Sequence, residues 1–279
     1  MAWKIPVGDA IEGTIEFLAD NFSFATKAFT RVVETGLDIM VSGMEFLPPW
    51  LFIILAALLT WWLSKRRGIG LFTLLGLGLV WNMGLWDPTL STIALVLVAT
   101  AIAVMIGVPL GIFAALSQTF YRIVTPILDF MQTMPAFVYL IPAIPFFGLG
   151  KVAAIFSTVI FAMPPSIRLT SLGIRQVPGE LVEAADAFGS TKSQKLFKLQ
   201  IPLATPTILA GVNQTIMLAL SMVVIAAMIG AKGLGGEVWK AIQRLEPGRG
   251  FEAGIGIVIV AIILDRIMQQ VGGGNKRRE

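Results

Sequence analysis

A run of polar and small residues, Glu183-Ala184-Ala185-x-x-x-Gly189-x9-Leu199-x-Ile201-Pro202, interrupts an otherwise apolar stretch of the chain. The residue types present suit docking rather than bond-making. Leu181, Val182, Ala185, Phe188, Leu196 and Phe197 offer apolar contacts, while Glu180, Glu183, Asp186, Lys192, Lys195 and Lys198 keep the segment compatible with water. That pattern describes a short amphipathic helix-turn-helix. Gly189 supplies the turn because glycine accepts positive φ, and the hydroxyls of Ser190 and Thr191 can cap the following helix. The two alanines leave room for a partner to approach closely. With no His and no Cys in the chain, imidazole bases, thiolate nucleophiles, disulfides and the usual zinc sites are excluded. Catalysis within this chain is therefore not expected.

The elements that must carry this segment are membrane helices. Of 279 residues, 56% are hydrophobic and 14% charged, with a mean hydropathy of +0.82, well below the roughly one quarter of charged residues in soluble domains. Seven windows lack Asp, Glu, Lys and Arg: Phe46–Ser64, Gly68–Trp86, Pro88–Tyr121, Phe130–Gly150, Val152–Ile167, Leu199–Ala231 and Ala253–Leu264. A helix needs about 20 residues to cross the hydrocarbon core. The two short windows extend through Arg168 to Gly173 and through Asp265-Arg266 to Val271, so the reading is an all-α integral membrane protein of about seven spans. Pro109, Pro126, Pro135, Pro142 and Pro145 predict kinks or broken turns, and the fourth span, with three of them, is the least regular.

Orientation follows from Lys and Arg. With the N-terminal side outside, the inner loops and tail hold Lys65, Arg66, Arg67, Arg122, Arg168, Arg175, Lys192, Lys195, Lys198, Arg266, Lys276, Arg277 and Arg278, thirteen of twenty-one. The positive-inside rule then gives N-out, C-in, with the Glu183 segment in the cytoplasm and residues 232–252 outside. The net charge of +4 arises from clusters beside apolar runs, as at a membrane surface, and not from a nucleic-acid-binding face.

Three charges lie within apolar surroundings. Asp129 follows Arg122 by seven residues on a helix running outward, and Arg168 precedes the cytoplasmic end of the next helix by about five. At about 1.5 Å rise per residue both sit roughly 6–10 Å inside the inner boundary. An isolated charge there costs about 2–4 kcal/mol, so a mutual Asp129–Arg168 pair is expected, with Asp265 the rival partner and snorkelling of Arg168 to water the alternative.

The first forty-seven residues differ from the rest. Ile11, Ile15, Leu18, Phe22, Ala25, Phe29 and Val32 repeat at alternating spacings of four and three, predicting an amphipathic helix or helix pair that anchors to the membrane surface or lies against the spans. The division is thus residues 1–47, two accessory helices in 48–86, a five-helix core in 87–271 with the loop 178–202, and a flexible basic tail, 272–279. Gly230-Ala231-Lys232-Gly233-Leu234-Gly235-Gly236 is glycine-rich but lacks the Lys-Ser/Thr ending that would hold a nucleotide phosphate and magnesium, and reads as a turn.

The Glu183–Pro202 pattern resembles the EAA coupling loop of ABC-importer permeases, with Leu199 and Ile201 standing where that family usually has Ile and Leu. From about Asp87 to Gln270, roughly two thirds of the chain, the sequence is similar to the permease subunit of glycine-betaine/proline-betaine importers. The segments carrying this are Pro126-Ile-Leu-Asp129-Phe-Met-Gln132-Thr-Met-Pro135-Ala-Phe-Val-Tyr139-Leu-Ile-Pro142, Ala162-Met-Pro164-Pro165-Ser-Ile-Arg168-Leu-Thr170, and Asn213-Gln-Thr-Ile-Met217 through Ile229-Gly-Ala-Lys-Gly233.

The resemblance implies a type I ABC importer transmembrane domain in a bacterial cell membrane. Two copies would form the pathway, partner ATPases would bind ATP and magnesium, and an extracellular solute-binding protein would deliver the solute. It places ATPase coupling on Glu183, Ala184, Ala185, Gly189, Leu199, Ile201 and Pro202. A quaternary ammonium suits aromatic faces, so Met131, Met134, Phe137, Tyr139, Asn213, Met217 and Trp239 are candidates for the pathway lining. An ion-coupled carrier would use Asp129 and Asp265 as relays, and an osmotic channel would need no ATPase; neither has a use for such a loop.

Overall fold

The computed structural model describes residues 6–21 and 23–273. Phe22 and the tail 274–279 lie outside the described residues. Helix α1 (Val7–Asn21) and α2 (Ser23–Glu45) precede a hairpin of α3 (Pro49–Ser64) and α4 (Arg67–Asn82). Next come α5 (Trp86–Leu116), α6 (Gln118–Thr133), a 3-10 turn (Ala136–Tyr139) and α7 (Leu140–Phe147). Two short helices, α8 (Lys151–Ala162) and α9 (Pro164–Arg175), form one unit broken only at Met163. Beyond it lie α10 (Gly179–Ala187), α11 (Lys192–Lys195), a π turn (Leu196–Gln200) and α12 (Ile201–Ala227), then α13 (Leu234–Arg244) and α14 (Pro247–Gly273).

Among the described residues, α5, the α8–α9 unit and the continuous stretch Lys192–Ala227 are each long and apolar enough to cross a membrane. Two bent pairs, α2 with α3 at 100° and α6 with the α7 region at 110°, bring that number to five. Each charge-free window is mostly helix, though not always as one straight rod. At 16 residues each, α3 and α4 reach only about 24 Å. The window Phe130–Gly150 holds the end of α6, a break and α7. Pro135, with no N–H to give, stands at that break. The first two glycines of the expected tail continue α14.

Helix α9 packs between α5 and α12, and small residues let the backbones approach. A methyl added at Gly107 would meet Ser166 Oγ at 2.8 Å, and one at Gly111 would meet Thr170 Cβ at 2.6 Å; Gly173 of α9 and Gly211 of α12 make the same accommodation between those two helices. In lipid, where burying apolar area drives no association, such close backbone packing holds helices together. At one end of the bundle Gly150 N–H donates to Ile229 O (2.7 Å), and Leu234 N–H donates to Thr92 Oγ1 (2.8 Å).

Of the two N-terminal alternatives, packing against the spans holds for α2: Val33 and Leu37 are buried in the main core beside half-buried Phe29. Phe29 meets Phe147 at 5.4 Å between ring centres, and Asp38 pairs with Lys151 at 2.6 Å. The expected stripe ended on Val32, which is 72% exposed, while Val33 is 3% exposed; within α2 the buried face steps by four, from Phe29 to Val33 to Leu37, where the expected repeat stepped by three. Residues 232–252, expected on the outer side, are largely helical. They contain α13, which buries Leu234 and Ala241.

Candidate functional site

The coupling segment has two halves with different physical characters. Its first half, α10, has no buried residue; Glu183 and Ala184 are exposed and Ala185 is half-buried. Gly189 follows with φ +73°, a left-handed conformation that glycine adopts without steric cost. Thr191 then caps α11 by accepting from Gln194 N–H, while Thr191 N–H donates back to the Gln194 side chain, a reciprocal capping box. Lys195 donates to both carboxylate oxygens of Asp186 at 2.7 Å, tying the two helices into one hairpin.

The second half roots the hairpin in the bundle. Leu199 and Ile201 are half-buried and Pro202, exposed, sits in the first turn of α12. Ile201 packs on a small cluster of Ile174, Leu196 and Ala204, so the base of α9 and the start of α12 share one apolar joint. Above it, Phe188 is 91% exposed, with Phe197 and Leu181 also open. These open apolar side chains stand on the hairpin that the Asp186–Lys195 pair ties together. The sequence marked Phe188 only as one apolar contact among several.

Helix α6 is held to the bundle by two clamps. Arg168 Nη2 donates to Asp129 Oδ1 at 2.5 Å. Arg175 lies with its guanidinium 3.9 Å from the Tyr121 ring centre and donates to Gln118 Oε1 (3.0 Å) and Ala114 O (2.7 Å). Both arginines sit on α9, which runs into α10 after only three residues, so α9 connects the hairpin to α6. Asp265 is engaged elsewhere: it accepts from Asn213 Nδ2 (2.9 Å) and Gln269 Nε2 (2.7 Å). The Arg175 clamp was not legible as such, since its partners lie 57 and 61 positions away.

The pathway candidates separate into two groups. Phe137 is 51% exposed at the break after α6, with Met131 and Met134 half-buried nearby in sequence. Tyr139 is instead buried and structural: its hydroxyl donates to Met131 O across the break, its carbonyl accepts from Ser157 Oγ, and its ring lies edge-on to Phe161. Asn213 is committed to Asp265, and Met217 packs against the core. Trp239 is half-buried on α13. Among the described residues no cluster of three His, Cys, Asp or Glu could hold a metal.

Residues 107–272 match the family described as binding-protein-dependent transport system inner membrane component. The chain belongs to this family. It is 54% identical over 275 residues to the glycine betaine transport system permease protein OpuAB of Bacillus subtilis, covering 99% of this chain and 97% of that one. It is 52% identical over 268 residues to the glycine betaine/carnitine transport permease protein GbuB of Listeria monocytogenes, covering 95% of each. An inward-facing structure of the MetNI methionine ABC transporter shares the fold, with a TM-score of 0.59 at 24% identity over 68% of this chain and 93% of that one. The permease is thus a multi-pass component of the cell membrane and not itself an enzyme; its family works with a binding protein, and a partner ATPase uses the ATP.

Proposed function

We propose that two copies of this permease form the translocation pathway of an ATP-driven importer for glycine betaine or a related quaternary-ammonium osmoprotectant. The observation that carries the coupling part is the exposed 179–195 hairpin, tied by Lys195 to Asp186, with Phe188 beside its turn. The solute follows from the relatives, whose names specify glycine betaine and carnitine. Seven crossings with the N-terminal side outside would set the hairpin in the cytoplasm, facing ATPase subunits that bind ATP with magnesium, and α13 outside, facing the solute-binding protein.

Alternating access follows from the connections of α9. ATP binding draws the ATPases together, and the docked hairpins follow. Each α9 is pulled at its base, and α6 moves with it through the Arg168–Asp129 and Arg175–Tyr121 clamps. The break at residues 134–135 absorbs the change in direction, while the Tyr139 staple keeps its two sides in register. Phe137, beside Met131 and Met134, then presents a weakly cation-attracting surface to the passing trimethylammonium group. Affinity resides mainly in the binding protein.

The test of solute class is uptake of radiolabelled glycine betaine by cells lacking other betaine carriers and expressing the permease with its partner ATPase and binding protein. Competition should rank glycine betaine above choline and carnitine. Uptake of choline or carnitine with no glycine betaine transport would overturn the solute assignment while leaving the coupling reading intact.

A further inference from the structure

The α3–α4 hairpin has no task in the transport cycle described above, yet it is shaped as a binding site. Its buried side is closed by Thr60 Oγ1 donating to Thr73 Oγ1 at 3.1 Å. On the other side Ala57 and Gly70 form the floor of an apolar groove of about 440 Å³, walled by Ile54, Leu58, Leu71 and Leu74. The floor is low because Gly70 lies against α3: an added Cβ would stand 2.8 Å from Trp61 Cβ and 3.1 Å from Ala57 O. At the turn the groove opens into a hollow of about 680 Å³ lined by Trp61, Trp62, Leu63, Lys65 and Arg67. Trp61 and Arg67 belong to both, so one elongated molecule can occupy the two together.

The rim carries charge that no acidic side chain among the described residues answers. Lys65, Arg66 and Arg67 are exposed, none has an acidic partner among the described residues, and no Asp or Glu occurs between residues 46 and 86. Lys65 also holds φ +52°, a conformation that glycine reaches more easily and that a side chain occupies at a cost. A topogenic signal would account for three cations on a turn. It would not account for a groove leading away from two of them.

We propose that this hairpin binds an anionic glycerophospholipid of the cytoplasmic leaflet. The phosphate lies between Lys65 and Arg67, Trp61 and Trp62 flank the glycerol-ester level where indoles partition, and one acyl chain fills the groove over Ala57 and Gly70. The leaflet rests on the N-out topology; the ligand chemistry does not. Arg66 lines neither hollow and separates a built site from general surface charge.

Native mass spectrometry of the detergent-purified complex with its ATPase, washed and then exposed to equal phosphatidylglycerol and phosphatidylcholine, reads this directly. The expected result is one phosphatidylglycerol retained per copy, about tenfold over phosphatidylcholine, not displaced by millimolar inorganic phosphate. Lys65→Gly with Arg67→Gln should abolish the preference, and the glycine relaxes the turn rather than straining it. Leu71→Trp should block retention with the charges intact, and Arg66→Gln should change nothing. Equal retention of both lipids, displacement by inorganic phosphate, or an equal loss in Arg66→Gln would each overturn the proposal. Because the readout is retained lipid, neither its success nor its failure depends on what the complex transports.

Discussion

Replacing Phe188 by Ala removes the most exposed large side chain of the coupling hairpin. Because the ring is 91% exposed in the free chain, its loss takes almost no intramolecular contact away, and the thermal stability of the permease should be unchanged within about 0.5 kcal/mol. In a docked complex the same ring would be buried, which is worth about 1.5–3 kcal/mol for a phenylalanine. A loss of about 2 kcal/mol corresponds to roughly a 30-fold rise in Kd for the ATPase. The assay is titration of the purified ATPase onto the permease held in nanodiscs, with a thermal melt of each variant as the control. An unchanged Kd would refute the docking role, and a lowered melting temperature with normal docking would show that Phe188 serves the permease's own packing.

Three further perturbations test separate parts of the structure. Gly189→Val forces a β-branched residue into φ +73°, costing about 1–2 kcal/mol, and should weaken docking and transport while the membrane bundle keeps its melting temperature; full activity would remove the turn from the coupling account. Asp129→Asn and Arg168→Gln should each impair transport modestly, since a pair with side chains 61% and 34% exposed in the single chain is worth about 1 kcal/mol. The exchange Asp129→Arg with Arg168→Asp should recover part of that loss, whereas additive damage would argue against a direct bridge. A single cysteine at Lys192, in a chain with no native Cys, should resist an impermeant thiol reagent in intact cells and react in inside-out vesicles; labelling in intact cells would invert the topology.

What could be read from the sequence was composition and local chemistry. Gly189 and Thr191 announced a turn and a cap because both effects act within three residues, and both are present. Charge-free windows located apolar segments but carry no direction, so the 110° bend between Met134 and the α7 region showed only as a cluster of prolines. Helical phase was lost inside α2, where the repeat stepped by three from Phe29 to Val32 while the buried face steps by four to Val33. Helix α13 was hidden by Glu237, Lys240 and Arg244 on its open face, although Leu234, Val238, Ala241 and Ile242 carry the period. Tyr139 drew a pathway role from its aromatic ring, but its hydroxyl and carbonyl are spent closing the break. Partners distant in the chain, such as Arg175 with Gln118 and Ala114, leave no local trace.

The most direct test of ATP-driven import is uptake into proteoliposomes that contain the permease and its ATPase, with binding protein and labelled glycine betaine on the outer side. ATP is enclosed in the lumen and no ion gradient is imposed. Accumulation should require all three proteins and enclosed ATP, should cease with a non-hydrolysable analogue, and should be insensitive to sodium and proton ionophores. Accumulation without ATP or ATPase, or collapse on dissipating an ion gradient, would contradict the reading of this chain as the membrane half of an ATP-driven importer.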